Sequence, residues 1–158
     1  MLGARKSVRR GFSLIELVIV VVIIGIIAAI AIPRMSRGVA GASDSALQGN
    51  LAMLRNAIDL FHTEHGATYP TEALINTQLI QFTNDASAVS ATRTATHIYG
   101  PYLRAVPSLP VGAKKGNTVI AAADAATIGW LYVEATGAIS ANTAAGELDA
   151  RGKAYNTY

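Results

Sequence analysis

From Phe12 to Ile32 the chain runs through 21 residues that are apolar except for Ser13, Glu16 and Gly25. As an α-helix such a run is roughly 30 Å long, enough to cross the core of a bilayer. Val, Ile and Leu dominate it, and lipid tolerates β-branched residues in helices because every backbone group is paired internally. Four basic residues, Arg5, Lys6, Arg9 and Arg10, precede the run, and two, Arg34 and Arg37, follow it. That bias orients the N-terminus toward the cytoplasm and the remainder of the chain outside.

Three kinds of segment share these features. A secretory signal peptide has a basic start, a shorter apolar core and a small-x-small cleavage site. Ala29-Ile30-Ala31 offers such a site, but the run is long for that class and an acidic residue near its start is unusual. A plain signal anchor fits the length and leaves Glu16 unexplained. The third kind is cut before the apolar run rather than after it. Glu16 discriminates among them. An ionised group within an apolar span costs about 2.5–3.5 kcal/mol at its centre, less near an interface where it can snorkel. Cutting between Gly11 and Phe12 creates an α-amino group four residues upstream of Glu16. That cation can pair with a Glu16 carboxylate, most usefully on an adjacent copy. The pairing neutralises both charges in a low-dielectric bundle and sets the axial register of one helix on the next.

The segment Gly11-Phe12-Ser13-Leu14-Ile15-Glu16-Leu17, followed by an unbroken apolar run to Pro33, resembles the processing site of type IV prepilins and type II secretion pseudopilins. The resemblance implies removal of leader residues 1–11 by a membrane prepilin peptidase and N-methylation of Phe12. It further implies assembly into a homo-oligomeric filament through the first helix. An inner-membrane platform with a cytoplasmic ATPase, and minor pilins or pseudopilins, would be the other partners. In the family Pro33 would mark a bend or locally melted stretch in the filament.

Processing would also change the charge. The intact chain carries 13 basic and 10 acidic residues. Four of the basic ones lie in the leader, so the mature side chains would balance at −1, nine basic against ten acidic. No basic stripe remains, and nucleic-acid binding is not expected. There are no cysteines, which excludes disulfides, thiolate catalysis and Cys-based metal sites.

Beyond the apolar run, Pro33 ends or kinks the span, since it lacks an N–H and clashes with the preceding turn. Gly38 and Gly41 weaken the helix, and Ser43 or Asp44 could cap a fresh one. Leu47, Leu51, Leu54, Ile58 and Phe61 then recur at spacings of 4, 3, 4 and 3, one apolar stripe of an amphipathic helix. That helix should stop near Gly66, ahead of Tyr69-Pro70. His62 and His65 are three apart with Glu64 between them, but no third ligand accompanies them, and no metal site is expected.

The remainder is read as an α+β head. Residues 70–82 could carry a short helix with Leu74, Leu79 and Ile80 inward. Residues 84–97 are rich in Ser, Thr and Ala and suggest a surface loop. Tyr99-Gly100-Pro101-Tyr102-Leu103 and Val106-Pro107-Ser108-Leu109-Pro110 suggest an extended, turn-rich connection. A short strand is expected over 118–122. Gly129-Trp130-Leu131-Tyr132-Val133-Glu134 alternates as a strand, Thr136-Gly137 turns the chain, and Ala138-Ile139-Ser140 returns as a hairpin partner. Trp130 is expected to pack rather than bind a ligand. Residues 142–158 read as a weakly ordered tail.

The expected architecture is therefore pilin-like. A long N-terminal helix, half transmembrane (12–33) and half amphipathic (34–66), packs on a small antiparallel sheet within a head spanning 67–158. The order of parts also resembles the major pseudopilin of type II secretion: Tyr69-Pro70 after the helix, Gly100-Pro101-Tyr102-Leu103, Leu109-Pro110, then the Trp130/Tyr132 strand and its hairpin. Many family members bind calcium in a late acidic loop. Here only Asp124, Glu147 and Asp149 are available, and no calcium site is expected. No nucleophile–base set or phosphate loop is present, so no catalytic residue and no cofactor are expected. A type II secretion pseudopilin is favoured, with its anchor in the inner membrane. The alternatives are a type IV pilin for adhesion, motility or DNA uptake, and a membrane-anchored binding domain.

Overall fold

The computed structural model describes residues 11–158, with the side chains of residues 32–40 outside the description. The basic residues Arg5, Lys6, Arg9 and Arg10 also lie outside the described residues. The chain divides into two compact units, with the boundary between Gly38 and Val39. One helix, α1 (Leu14–Glu64), contributes to both.

Among the described residues of the first unit, α1 has no tertiary cover. From Leu14 to Ile30 every side chain except Ala28 is exposed. The backbone is helical through Pro33, so this proline does not end the helix as its chemistry suggested. A proline forfeits one intrahelical hydrogen bond, and the helical turns on either side continue. Nor does a fresh helix begin at Ser43 or Asp44, which lie well inside α1.

In the second unit the amphipathic half of α1 carries the core. Leu47, Leu51, Leu54, Ile58 and Phe61 are all at most 1 % exposed. Burying each stabilises the fold by about 1.5–3 kcal/mol relative to exposure. The helix stops because Gly66 and Ala67 both turn left-handed, at φ 61° and 64°. The Ala67 N–H closes on the His62 carbonyl at 2.9 Å, which satisfies one of the orphan carbonyls of the last turn.

The head contains α2 (Ile75–Gln78), a two-stranded antiparallel ribbon of β1 (Phe82–Thr83) and β2 (Val89–Ser90), and a three-stranded sheet of β3 (Val119–Ala121), β4 (Ile128–Val133) and β5 (Ala138–Ala141). A short 3-10 turn, η1 (Tyr155–Thr157), closes the chain. This is the expected α+β arrangement, with differences in detail. Leu74 is exposed and Ile75 takes the inward place, because the helix expected within 70–82 is only the four residues Ile75–Gln78, with Leu74 as its N-cap. Part of the Ser/Thr-rich segment is strand β2 rather than loop. The sheet is mixed, since β3 pairs parallel to β4 and β4 antiparallel to β5. Parallel neighbours ordinarily need a long crossover, but a strand as short as β3 lets the brief 122–127 connection return the chain.

Strand β4 presents Trp130 and Tyr132 to the core at 0 % and 1 % exposure, and leaves Val133 outward. Each buried aromatic ties its polar atom to a turn. Trp130 Nε1 donates to the Pro107 carbonyl at 2.8 Å, and Tyr132 Oη donates to the Pro70 carbonyl at 2.9 Å. The two proline-containing connections are thereby fastened to the sheet.

Residues 142–158 are not a loose tail. Asn142, Thr143 and Asp149 are buried, and Leu148 bridges Ala154. Tyr155 and Tyr158 pack against the core. The segment is fastened to α1 at Asp44, whose carboxylate accepts the Tyr155 hydroxyl at 2.7 Å and the Ala150 N–H at 3.0 Å.

Candidate processing and assembly site

Gly11, Phe12 and Ser13 have no regular structure and are fully open to solvent, with Phe12 82 % exposed. The Gly11–Phe12 peptide bond thus lies in an irregular segment just outside the helix. The first helical hydrogen bond runs from the Leu17 N–H to the Ser13 carbonyl at 3.2 Å, which makes Ser13 the N-cap. Glu16 stands at the third helical position and reaches back to accept the Ser13 N–H at 2.9 Å. This is half of a capping box, and it satisfies one donor that the helix start would otherwise leave open. A negative charge there is also favoured by the helix dipole. Ser13 as a partner of Glu16 escaped the sequence reading, although Ser-x-x-Glu ahead of an apolar run is the signal for it.

Glu16 therefore has a local role in the single chain. One carboxylate oxygen meets its own helix start, and the residue lies on an apolar helix that offers no other partner among the described residues. Pro33 is helical in backbone, with its side chain outside the description. Gly11 and Phe12 lie just ahead of the first turn of α1, which contains Glu16, whereas Pro33 lies some five turns further on.

The histidine pair does not converge on a common point. His62 stacks on Tyr69 with centroids 4.1 Å apart, while His65 stacks on Phe61 at 3.9 Å. His65 is buried, and its Nδ1 faces the Phe61 carbonyl at 2.9 Å, so Nδ1 carries the proton and donates. The three late carboxylates are each engaged by donors from the protein. Asp124 is paired with Lys114 and also accepts from Asn142 Nδ2 at 3.0 Å. The Lys114 ammonium, with help from Asn142, holds the Asp124 carboxyl below its usual range. Glu147 accepts the Ala113 and Ala144 N–H groups. Asp149 accepts the Tyr158 hydroxyl and the Arg151 and Lys153 N–H groups. The hydroxyl first, then the Lys153 amide, hold its carboxyl below the usual carboxylate range. Among the described residues no group of three or more His, Asp or Glu side chains is arranged to hold a metal ion.

Comparison with known proteins places these features. A family defined as the prokaryotic N-terminal methylation motif matches residues 6–32. Together with the exposed apolar helix Leu14–Ala31, that motif makes the N-terminal segment a membrane anchor. The type IV major fimbrial protein FimA of Dichelobacter nodosus is 48% identical over 54 residues, covering 34% of this chain and 35% of that protein. The chain thus matches only about a third of the length of the fimbrial relatives. The type II secretion system core protein G of Klebsiella pneumoniae is 30% identical over 105 residues, covering 66% of this chain and 70% of that protein. The core protein G of Aeromonas hydrophila is 26% identical over 113 residues, covering 68% and 71%. No solved structure matches the chain.

Proposed function

Since the chain belongs to the family of the type II secretion system core protein G, we propose that it is the precursor of a filament subunit that supports protein secretion. One observation carries the secretion assignment. The match to core protein G runs over 105 residues, longer than α1 and its leader together, so it must take in part of the head. The fimbrial match of 54 residues is no longer than the helical segment that all such subunits share. That shorter match, at higher identity, favours a second reading as a type IV pilin.

In the proposed scheme the chain is held in the inner membrane with residues 1–11 in the cytoplasm, oriented by Arg5, Lys6, Arg9 and Arg10. A prepilin peptidase cuts between Gly11 and Phe12, and Phe12 is N-methylated. Residues 12–33 then form the filament core, 34–66 continue the helix, and 67–158 form the head facing the periplasm. Polymerisation uses an assembly platform, its ATPase and minor subunits. The new amine of Phe12 meets Glu16 of a neighbouring copy and sets register, and Pro33 allows the helix to adapt in the filament. The role is structural rather than catalytic. Its support lies in the irregular Gly11–Phe12 segment, the uncovered apolar helix and the placement of Glu16 one turn from the cut.

Two substitutions test the scheme. Glu16→Ala should be cleaved normally, as seen by the mass of the mature chain, yet fail to enter filaments. Unimpaired assembly would remove the pairing from the scheme. A Gly11 substitution should leave a longer, membrane-bound precursor, and normal maturation would contradict the site. Loss of an exported enzyme from the medium on deleting the gene, with surface fibres unaffected, separates the secretion role from the fimbrial one.

A further inference from the structure

The head carries opposite charge at the two ends of its stretch of α1. At the far end His62 stacks on Tyr69, and the Tyr69 ring lies against Gly137 in the turn between β4 and β5. Glu134, where that turn begins, accepts the Glu72 N–H at 2.7 Å. Two exposed carboxylates, Glu72 and Glu134, therefore stand together there. At the near end the Asp44 carboxylate accepts the Ala150 N–H at 3.0 Å, which sets the exposed Arg151 and Lys153 beside the start of the buried stripe. Asp44 and His62 are 18 positions apart, roughly 27 Å along a helix, too far for the two sets of charges to meet within one head. Among the described residues the only ion pair is Lys114 with Asp124. Glu72 and Arg151 each bond through the backbone N–H, and their charged groups make no bond among the described residues. Like charges held side by side repel, and an opposite charge brought against them relieves the repulsion.

We propose that these two ends are the halves of one contact between copies of this chain, in which Arg151 and Lys153 of one head meet Glu72 and Glu134 of the next. The occupant is a second copy because the chain itself supplies both complementary surfaces, at opposite ends of one helix. Copies laid with α1 parallel and displaced along it bring the basic end of one over the acidic end of another. Copies meeting end to end in opposed orientation would set like charges together, so the same residues select polarity. The contact is heterologous: it joins two different patches, does not close on itself and repeats without limit, as a filament requires. It rests on the filament reading of the function. A single exposed ion pair is weak, so the effect comes from repetition along the filament.

Charge reversal tests the contact. The full-length chain is expressed at raised level in cells deleted for the native copy, and sheared filaments are measured against the chain left in the membrane. Glu72→Arg and Arg151→Glu should each lower the sheared fraction about fivefold, because each sets like charges face to face. Combining them restores opposite charge with the signs exchanged, and should return the fraction to within about twofold of the unaltered chain. Single reversals without effect overturn the proposal. So does a defect in Arg151→Glu that Glu72→Arg fails to relieve, which would assign the basic end to another anionic surface such as lipid headgroups. Should a reversed chain fail to accumulate, Glu72→Gln and Arg151→Gln take its place. Each alone should then lower the fraction and the two together no further, whereas additive losses overturn the contact. If the unaltered chain forms no filament, the filament reading falls and this contact with it; filaments indifferent to the reversals remove the contact alone.

Discussion

The attachment of the C-terminal segment to α1 can be measured by a double-mutant cycle on Asp44 and Tyr155. The Asp44 carboxylate accepts the Tyr155 hydroxyl at 2.7 Å across 111 positions of sequence. A hydrogen bond to a charged group contributes about 1.5–3 kcal/mol. Both residues are half-buried, so screening by solvent lowers this to about 1–2 kcal/mol. Tyr155→Phe should cost about 1 kcal/mol by losing that bond. Asp44→Ala also frees the Ala150 N–H, but alanine favours the helix by up to about 0.7 kcal/mol, so the two single effects come out similar. The cycle cancels the propensity difference and leaves a coupling of about 1 kcal/mol. Urea unfolding of the full chain in micelles, followed by its single Trp130, reads the head directly. For a unit of about 120 residues each kcal/mol corresponds to a midpoint shift of about 3–5 °C on heating. Additivity within about 0.3 kcal/mol would refute a direct contact between the two side chains.

Other outcomes follow from the same geometry. Leu54→Ala removes a side chain with no exposed surface from the centre of the stripe and should destabilise the head by about 2–5 kcal/mol in the same urea assay. Gly137→Ala forces alanine into φ 69° and sets its Cβ against Tyr69, so it should cost at least about 2 kcal/mol, visible as a lowered midpoint and increased proteolysis at the hairpin. Acid titration should weaken the head through Asp149. Its carboxyl is depressed when folded, so its contribution is present above the ordinary carboxylate range and is lost as pH falls through the lower folded value. Asp149→Asn should therefore flatten the acid limb of the stability curve. At the alkaline end, burial and then the Asp44 hydrogen bond push the Tyr155 phenol up to about 12. Its contribution is intact below the ordinary tyrosine value of about 10 and is lost as pH rises through the folded value. Tyr155→Phe should remove that part of the alkaline slope.

What the sequence revealed and what it concealed divide along one physical line. The apolar run, the stripe from Leu47 to Phe61, and the Trp130–Tyr132 strand with its hairpin are periodic over many residues. Burial enforces such periods, so these elements were legible. Strands β1 and β2 hold two residues each, too few to express a period. The parallel partner of β4 depends on a non-local pairing that no local pattern encodes. The shift from Leu74 to Ile75 as the inward residue is a phase error of one position in a helical segment of four. The tail misled because its sequence is mostly small and polar. It is held by Tyr155, Tyr158 and the carboxylates Asp44 and Asp149, partners whose pairing appears only once the chain has folded. At the N-terminus the order of Gly11, Phe12 and Glu16 was readable, whereas the use of Glu16 as a cap for Ser13 required the geometry.

The ordering of the last residues bears on how this protein can be tagged. The Tyr158 hydroxyl is bonded to Asp149, and the Lys153 ammonium lies over the Tyr158 ring at 3.7 Å. An epitope or fluorophore fused after Tyr158 would therefore pull on the attachment of the head to α1, and a labelled subunit so made would report its own weakening. The exposed segment 91–96, which the core does not use, is the place for an insertion meant to follow the native molecule.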